Sequence, residues 1–522
     1  MEKETSEIFK EFREHSIAEF FKKNRQMLGY SSKVRSMTTI VHEYVTNSLD
    51  ACEEKGILPD ISVEIKEIEN ERYHISVKDN GPGIPKEYVG RALAEILAGT
   101  KFHRYLQQRG QQGIGAAGCT LFSQITTGKP IHIKSSTSGG NVYECDLSID
   151  IMKNLPVMAN YKEYSEDFEG IEIRGEFAEV KYENSDHGVY EYLRRSALAN
   201  PHAQISLLAP DGSRISFMRA TNELPKRPKE AKLHPLGLSV NDLLDYAKAS
   251  TNRKISGFLE EAFARVTPAK IEEIAHISGI DMSKDPKEIS WEDAKKIINA
   301  IKQIKWISPD STSIVPIGEK QIKNAMQNII NPEFMNIKER KPAIFRGGIP
   351  FIVEAGIAYG GSSINKDSNT GGVILRFANR VPLMFDSNSC AITEAVRAIQ
   401  WKRYNIDLEN DPVSIFVNVS SAFIPYSGVG KEAIAQEPEI IEEIKLTLME
   451  AARGLQRYVA GKRDLNYEIG RYKTIMRYVN QLATDLSSIT GRDKSEIENQ
   501  IKEVVRVHYP RITEAEDKKQ GN

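Results

Sequence analysis

The sequence predicts an α+β protein of several domains, and three observations carry that expectation. A chain of 522 residues exceeds what one hydrophobic core holds, so roughly three or four domains are expected. Near the start, a helical pattern is followed at once by two alternating strands, an order that belongs to an α/β layer. Strand-like runs then return only after a wholly helical stretch, which marks a second α/β unit. Lysine and arginine total 70 against 72 acidic residues, for a net charge of −2. Nothing global therefore marks a nucleic-acid binder, and DNA contact requires a local basic surface.

The first legible helix contains "HEYVTNSLDACEEKG", from His42 to Gly56. At ~100° per residue, Glu43, Asn47, Asp50 and Glu54 fall on one narrow stripe, with Val41, Val45 and Cys52 opposite. An amphipathic helix with its polar face in water gives the same division, so on this helix alone both that reading and a functional stripe stay open. The strands "ISVEIKEI" and "RYHISVKD" follow, and the second delivers Asp79 to the loop "NGPGIP". Its glycines allow a tight turn and close approach of a ligand; alone, this is only a turn.

Further on, "RGQQGIGAAG" from Arg109 to Gly118 precedes the apolar run "CTLFSQI". Gly113-x-Gly115-x-x-Gly118 is formally a dinucleotide fingerprint, but "HRYLQQ" stands where a strand is required, and no acidic residue follows until Glu144. NAD is thereby disfavoured. The loop either cradles phosphates through backbone N–H groups or is a packed turn. "SGVGKEA" around Lys431 is no Walker A loop, because Glu432 stands where a metal-binding hydroxyl belongs and the earlier glycine is missing. Strands are expected in "IHIKSST" and "NVYECDLSI", joined by the turn Ser138-Gly139-Gly140, and the first domain closes near Phe217.

From about Leu233 to Ile304 short helices with legible starts are expected: Thr267-Pro268 sets a capping hydroxyl before a first-turn proline, and "SWED" from Ser290 to Asp293 has the form of a capping box. Strands resume at "GIPFIVEAGIAYGG", "GGVILRFANRVPLMFD" and "PVSIFVNVSS", with a helix at "ITEAVRAIQW". Beyond Glu437, "IIEEIKLTLMEAARGLQRYVAGKRDL" and "YEIGRYKTIMRYVNQLATDL" are two long amphipathic patterns, followed by a shorter helix. They serve either as a cap on the preceding domain or as a partner-binding arm. Cys52, Cys119, Cys145 and Cys390 lack metal-ligand spacing, the start "MEKETSEIFKEFREH" has no apolar signal region, and no segment approaches the ~20 apolar residues of a membrane span. The expectation is a reduced, cytoplasmic protein without a membrane partner.

In order, "EYVTNSLDA", "DNGPGI" and "GQQGIG" resemble the three signature boxes of the GHKL ATPases, which include gyrase, Hsp90, histidine kinases and MutL. The opening "SIAEFFKKNRQMLGY", "LAGTKF", the helical insert, "FANRVPLMFD" and "YSGVGKEAIA" extend the resemblance to the family of topoisomerase VI B subunits across nearly the whole chain. It implies a GHKL (Bergerat) α/β sandwich, a helix-two-turn-helix insert, and a ribosomal protein S5 domain 2-like transducer with long C-terminal helices. The implied boundaries are 1–30 for an N-terminal strap, 31–230 for the ATPase domain, 231–306 for the insert, 307–470 for the transducer and 471–522 for a helical region contacting an A subunit.

The same resemblance assigns roles residue by residue. Glu43 matches the general base and Asn47 the Mg2+ ligand, while Asp79 matches the acceptor for the adenine amino group, with Gly81 and Gly83 close to the base. Gly110, Gln111, Gln112, Gly113, Ile114 and Gly115 match the lid around the ATP phosphates, which Thr100 and Lys101 flank. Lys431 matches a transducer lysine reaching the γ-phosphate, and Asp50 belongs to the nucleotide site, more as a support behind the ligands than as one of them. Gly170-Ile171 stands where relatives often have Gly-Thr, a departure in the outer adenine shell. The implied function is the ATP-operated gate of a type IIB DNA topoisomerase that dimerises on ATP, passes duplex DNA, and works as an A2B2 heterotetramer with a cleaving A subunit. Alternatives are another GHKL machine of chaperone or mismatch-repair type, a histidine kinase, and a nonhydrolysing DNA-binding scaffold.

Overall fold

The computed structural model describes residues 16–99, 105–110, 113–137, 140–361, 373–428 and 430–510. The chain divides into two compact units, Met1–Ile399 with Leu408–Ala451, and Gln400–Asp407 with Ala452–Asn522.

In the larger unit, α1 (Ile17–Lys23) is capped by the Ser16 hydroxyl and buries Ala18 and Phe21 in the same core as the helix that follows. That helix, α2 (Lys33–Lys55), stops where Gly56 takes φ 76° and its N–H reaches back to Cys52 and Glu53. The C-terminal cap is one that only a residue at ease in the left-handed region makes cheaply. The hairpin of β1 (Asp60–Glu69) and β2 (Arg72–Asp79) pairs Ile61 with Asp79, Val63 with Val77 and Ile65 with Ile75, so β1 sends its apolar residues to one face. Then come α3 (Lys86–Ala94), α4 (Gly115–Thr127), β3 (Ile131–Ser136), β4 (Asn141–Asp150), β5 (Leu155–Ser165), β6 (Gly170–Ala178), α5 (Val189–Ala199), β7 (Gln204–Leu208) and β8 (Arg214–Phe217). The strands form one eight-stranded sheet in the order β5-β4-β3-β6-β2-β1-β7-β8, antiparallel except where β1 meets β7. Helices α2, α4 and α5 cover its apolar face.

The helical module follows as α6 (Val240–Ala249), α7 (Ile255–Ala262), α8 (Pro268–Ser278) and α9 (Trp291–Gln303), around a core that includes Leu243, Phe258, Ile274 and Ile297. Thr267 caps α8 ahead of Pro268, and Ser290 with Asp293 closes a full capping box on α9, as does Ser239 with Asp242 on α6.

A second sheet follows α10 (Glu319–Ile329), built from β9 (Phe334–Glu339), β10 (Ala343–Phe345), β11 (Ile349–Tyr359), β12 (Val373–Ala378), β13 (Val381–Pro382) and β14 (Val413–Ser421), with α11 (Ala391–Arg397) between the last two strands. Its order is β10-β11-β14-β12-β13, and β9 also pairs with β11, along Glu354–Tyr359, beyond the stretch Ile349–Phe351 that β10 pairs. Helix α5 joins the two layers: Tyr192 and Leu193 lie in the first core, while Leu198 and Ala199 lie in the second beside Ile322, Phe377 and Phe416.

The two long C-terminal patterns are one continuous helix, α12 (Pro438–Thr490), and α13 (Lys494–His508) follows it. The helix runs on through Gly461 and Gly470, which keep helical backbone without the positive φ that ends a helix. An interior glycine costs only ~1 kcal/mol, too little to stop a helix of this length. In the smaller unit Tyr472 packs with Val505 and meets Tyr509 edge to face at 5.9 Å.

Candidate active site

Helix α2 turns its polar stripe toward a cavity of about 560 Å³. Glu43 and Asn47 line it from one side, and Gly110, Gly113, Ile114 and Gly115 line it from another. Lys431, nearly four hundred residues away in sequence, lines it from the transducer side. The i,i+4 spacing sets Glu43 and Asn47 one turn apart on the same face.

The glycine segment is shaped for close approach. Gly113 has φ 58°, and its carbonyl accepts from Leu97 N at 3.0 Å. At Gly115, the first residue of α4, a Cβ would fall 1.8 Å from Glu43 Oε2, so the Glu43 carboxylate occupies the space a side chain would need. An anion at the start of a helix is favoured by the exposed N–H groups and the helix dipole.

Lys431 sits at the tip of a tight loop in which Tyr426 bridges Ile434 and Ser427 N donates to Ala433 O at 2.9 Å. Its own φ is 51°. The loop is pinned to α2 by the ion pair between Glu432 and Arg35, and the Arg35 guanidinium lies 4.6 Å over the Phe385 ring. His42, beside Glu43, is pushed below its ordinary pKa by burial, with the Lys431 ammonium adding to the shift and Glu43 opposing it.

Asp79 lies off the cavity wall. Its carboxylate accepts from the Ser48 hydroxyl and from Gly81 N, the latter at 2.9 Å, and burial raises its pKa against these bonds. Gly81 and Gly83 are also outside the lining; at Gly83, with φ 66°, a Cβ would fall 2.2 Å from Ser136 O. Ile171 pairs directly with Asp79 across β2 and β6, so the departure at Gly170-Ile171 sits beside this carboxylate. Asp50 does not line the cavity either: it is buried, and Arg109 Nη1 donates to its Oδ1 at 2.8 Å. Thr100, Lys101, Gln111 and Gln112 lie outside the described residues.

Arg109 was not singled out in the sequence, although it immediately precedes the glycine loop. It is buried between Asp50 and Glu53, and its Nη2 donates to Glu53 Oε1 at 2.6 Å. Burial alone would raise the Glu53 carboxyl, but Arg109, His202 and Arg380 together hold it far below its usual range. The only sequence signal was a lone cation at the mouth of a glycine loop.

A magnesium ion fits this donor set in one way. Asn47 offers a neutral amide oxygen, and among the described residues no group of three or more His, Cys, Asp or Glu side chains converges on a metal site. A hard ion with one protein oxygen takes its remaining ligands from phosphates and water. All four cysteines are buried and unpaired, and among the described residues no helix is long and apolar enough to cross a membrane.

Comparison with known proteins agrees with the layout. Residues 32–151 match the histidine kinase-, DNA gyrase B- and HSP90-like ATPase family, and residues 309–471 match the topoisomerase VI B subunit transducer. The B subunit of type 2 DNA topoisomerase 6 from Pyrococcus horikoshii is 42% identical over 542 aligned positions, covering 95% of each chain. That of Methanothermobacter thermautotrophicus is 43% identical, covering 97% of this chain and 98% of its own. At this identity over nearly the whole of both chains, the chain belongs to the family of type 2 DNA topoisomerase 6 B subunits.

Proposed function

We propose that the cavity is the site where ATP is bound and hydrolysed, and that turnover drives a gate for duplex DNA. The observation that carries this reading is the convergence of Glu43, Asn47, Gly110, Gly113, Ile114, Gly115 and Lys431 on one cavity, although Lys431 lies nearly four hundred residues from Glu43. Glu43 is the general base for the attacking water, a role that typically contributes ~10²–10⁴-fold. Asn47 holds Mg2+, which when bound neutralises phosphate charge, and Lys431 contacts the γ-phosphate. Asp79 accepts from the adenine amino group, with Gly81 and Gly83 beside the base; its carboxylate has acceptor capacity beyond its bonds from Ser48 and Gly81. Thr100, Lys101, Gln111 and Gln112 complete the phosphate surround, and Asp50 acts through Arg109.

The proposed organisation is a strap at 1–30, an ATPase domain at 31–230, an insert at 231–306, a transducer at 307–470 and a C-terminal region at 471–522. Ala18 and Phe21 of the proposed strap pack into this chain's own core. Exposed Tyr478, Ile489, Val504 and Val507 support an A-subunit contact on the C-terminal helices, and kinship with type 2 DNA topoisomerase 6 B subunits supports an A2B2 assembly with duplex DNA as substrate.

The deciding experiment combines the chain with a cleaving A subunit and measures ATP-dependent decatenation alongside ATP turnover. Glu43→Ala should bind ATP yet lose most turnover, whereas Asn47→Ala should weaken binding of the magnesium nucleotide. Parental hydrolysis by both variants would return the stripe to an ordinary polar helix face.

A further inference from the structure

Between the glycine loop and the transducer runs a buried polar seam, of which the proposed function draws only on the Asp50–Arg109 pair. The stem leading into the loop is fastened to the transducer side: Gln107 Nε2 donates to Val315 O at 3.0 Å, and Gln107 Oε1 accepts from Val315 N at 2.6 Å. Asn379 Nδ2 also donates to Gln108 O at 3.2 Å. The stem ends at Arg109, clamped by Asp50 and Glu53 of α2. Glu53 is shared, because its Oε2 lies 3.7 Å from Arg380 Nη1.

Arg380 occupies a conformation that its residue type does not favour. Asn379 and Arg380 are the two-residue turn between β12 and β13, with φ 48° and 67°. A turn with two positive φ values takes glycine most cheaply at its second position, and a long side chain there carries backbone strain. The strained arginine nevertheless sends its guanidinium to Glu53 and, through Nη2, to Pro316 O at 3.3 Å. Among the described residues, Arg109 Nε, Arg380 Nε and both side-chain polar atoms of Gln108 are also buried with no protein group within hydrogen-bond reach.

We propose that Arg109 and Arg380 are positioning residues, two guanidinium groups bridged by Glu53 that make the setting of the phosphate loop depend on the β12–β13 turn of the transducer. This connection is separate from Lys431, which enters the cavity from a different loop. The inference rests on reading the cavity as the ATPase site.

The test uses the full chain and steady-state ATP hydrolysis. Arg380→Gly gives the turn the residue it favours while removing the guanidinium, so a purely structural role predicts a folded, fully active protein. The proposal instead predicts a cooperative melt, a KM for ATP within about twofold of the parent, and a kcat lowered roughly three- to thirtyfold. Arg380→Lys, which keeps a cation facing Glu53, should recover part of that loss. Parental kcat in Arg380→Gly, a change confined to KM, or no recovery in Arg380→Lys overturns the proposal. If Arg380→Gly does not melt cooperatively, Glu53→Gln decides on the same criteria, since it keeps the shape and removes the bridging charge. Glu43→Ala is measured in parallel. Parental turnover there removes the ATPase-site reading itself, whereas its loss beside a fully active Arg380→Gly sinks only the positioning role.

Discussion

At the scale of single residues, the closest approach in the site is between Gly115 and Glu43. Because a Cβ at Gly115 would fall 1.8 Å from Glu43 Oε2, Gly115→Ala must displace the carboxylate or the start of α4. Turnover is expected to fall at least about tenfold, within the span that a general base contributes, and steady-state ATPase measurement checks it. A second expectation concerns pH. Burial lowers the folded-state pKa of His42, His74, His202 and His234. The unfolded chain therefore takes up protons first, near pH 6.5, and stability is full above that value and declines as pH falls through it. Glu53 works on a lower window: its depressed pKa contributes stability that is present above ~4.3 and lost on further acidification. Urea unfolding at pH 7.5 and 5.5 should show lower stability at 5.5, and His202→Gln should reduce the difference. Equal stability at both values would remove the histidine account.

At the scale of elements, the continuity of α12, read as two patterns in the sequence, can be checked directly. Gly461 and Gly470 are helical, exposed and open to an added Cβ, with no heavy atom within 4 Å of it. Each glycine-to-alanine change should stabilise the helix by ~0.5–1 kcal/mol, seen in denaturant unfolding followed by helical circular dichroism. A loss of stability at both would mean the helix is interrupted after all. Elements whose signal is local were legible in the sequence: α2 from its stripe, β1 and β2 from alternation, α8 and α9 from Thr267-Pro268 and Ser290-Asp293. Strand β5 was not, because it is an edge strand exposed along nearly its whole length and its residues show no inside-outside alternation. The glycine loop and the Lys431 loop were legible because each is a short run of unusual residues. The contacts that set them were not: Arg35 finds Glu432 across 397 positions, and Asn379 finds Gln108 across 271, pairings that only the tertiary fold creates.

At the scale of the whole molecule, the proposed gate requires two copies. A nonhydrolysable ATP analogue should convert monomer to dimer, read as a doubling of mass by light scattering. Deletion through His15 should impair that conversion while leaving the core residues Ala18 and Phe21 in place. A mass that ignores nucleotide would exclude the gate. Lys431→Ala should still bind ADP about as well as the parent, yet hydrolyse ATP poorly and lose any ATP-specific change in solution scattering; parental behaviour in both would make Lys431 a surface lysine. The placement of that lysine has a further consequence. Since the cation arrives on the transducer while the proposed base stands on α2, neither sheet alone holds a complete set of groups for hydrolysis. If the proposed roles of Glu43 and Lys431 hold, the protein would act as a logical AND: nucleotide in the cavity is one input, the transducer seated against it is the other, and fuel is not burned when only one is true.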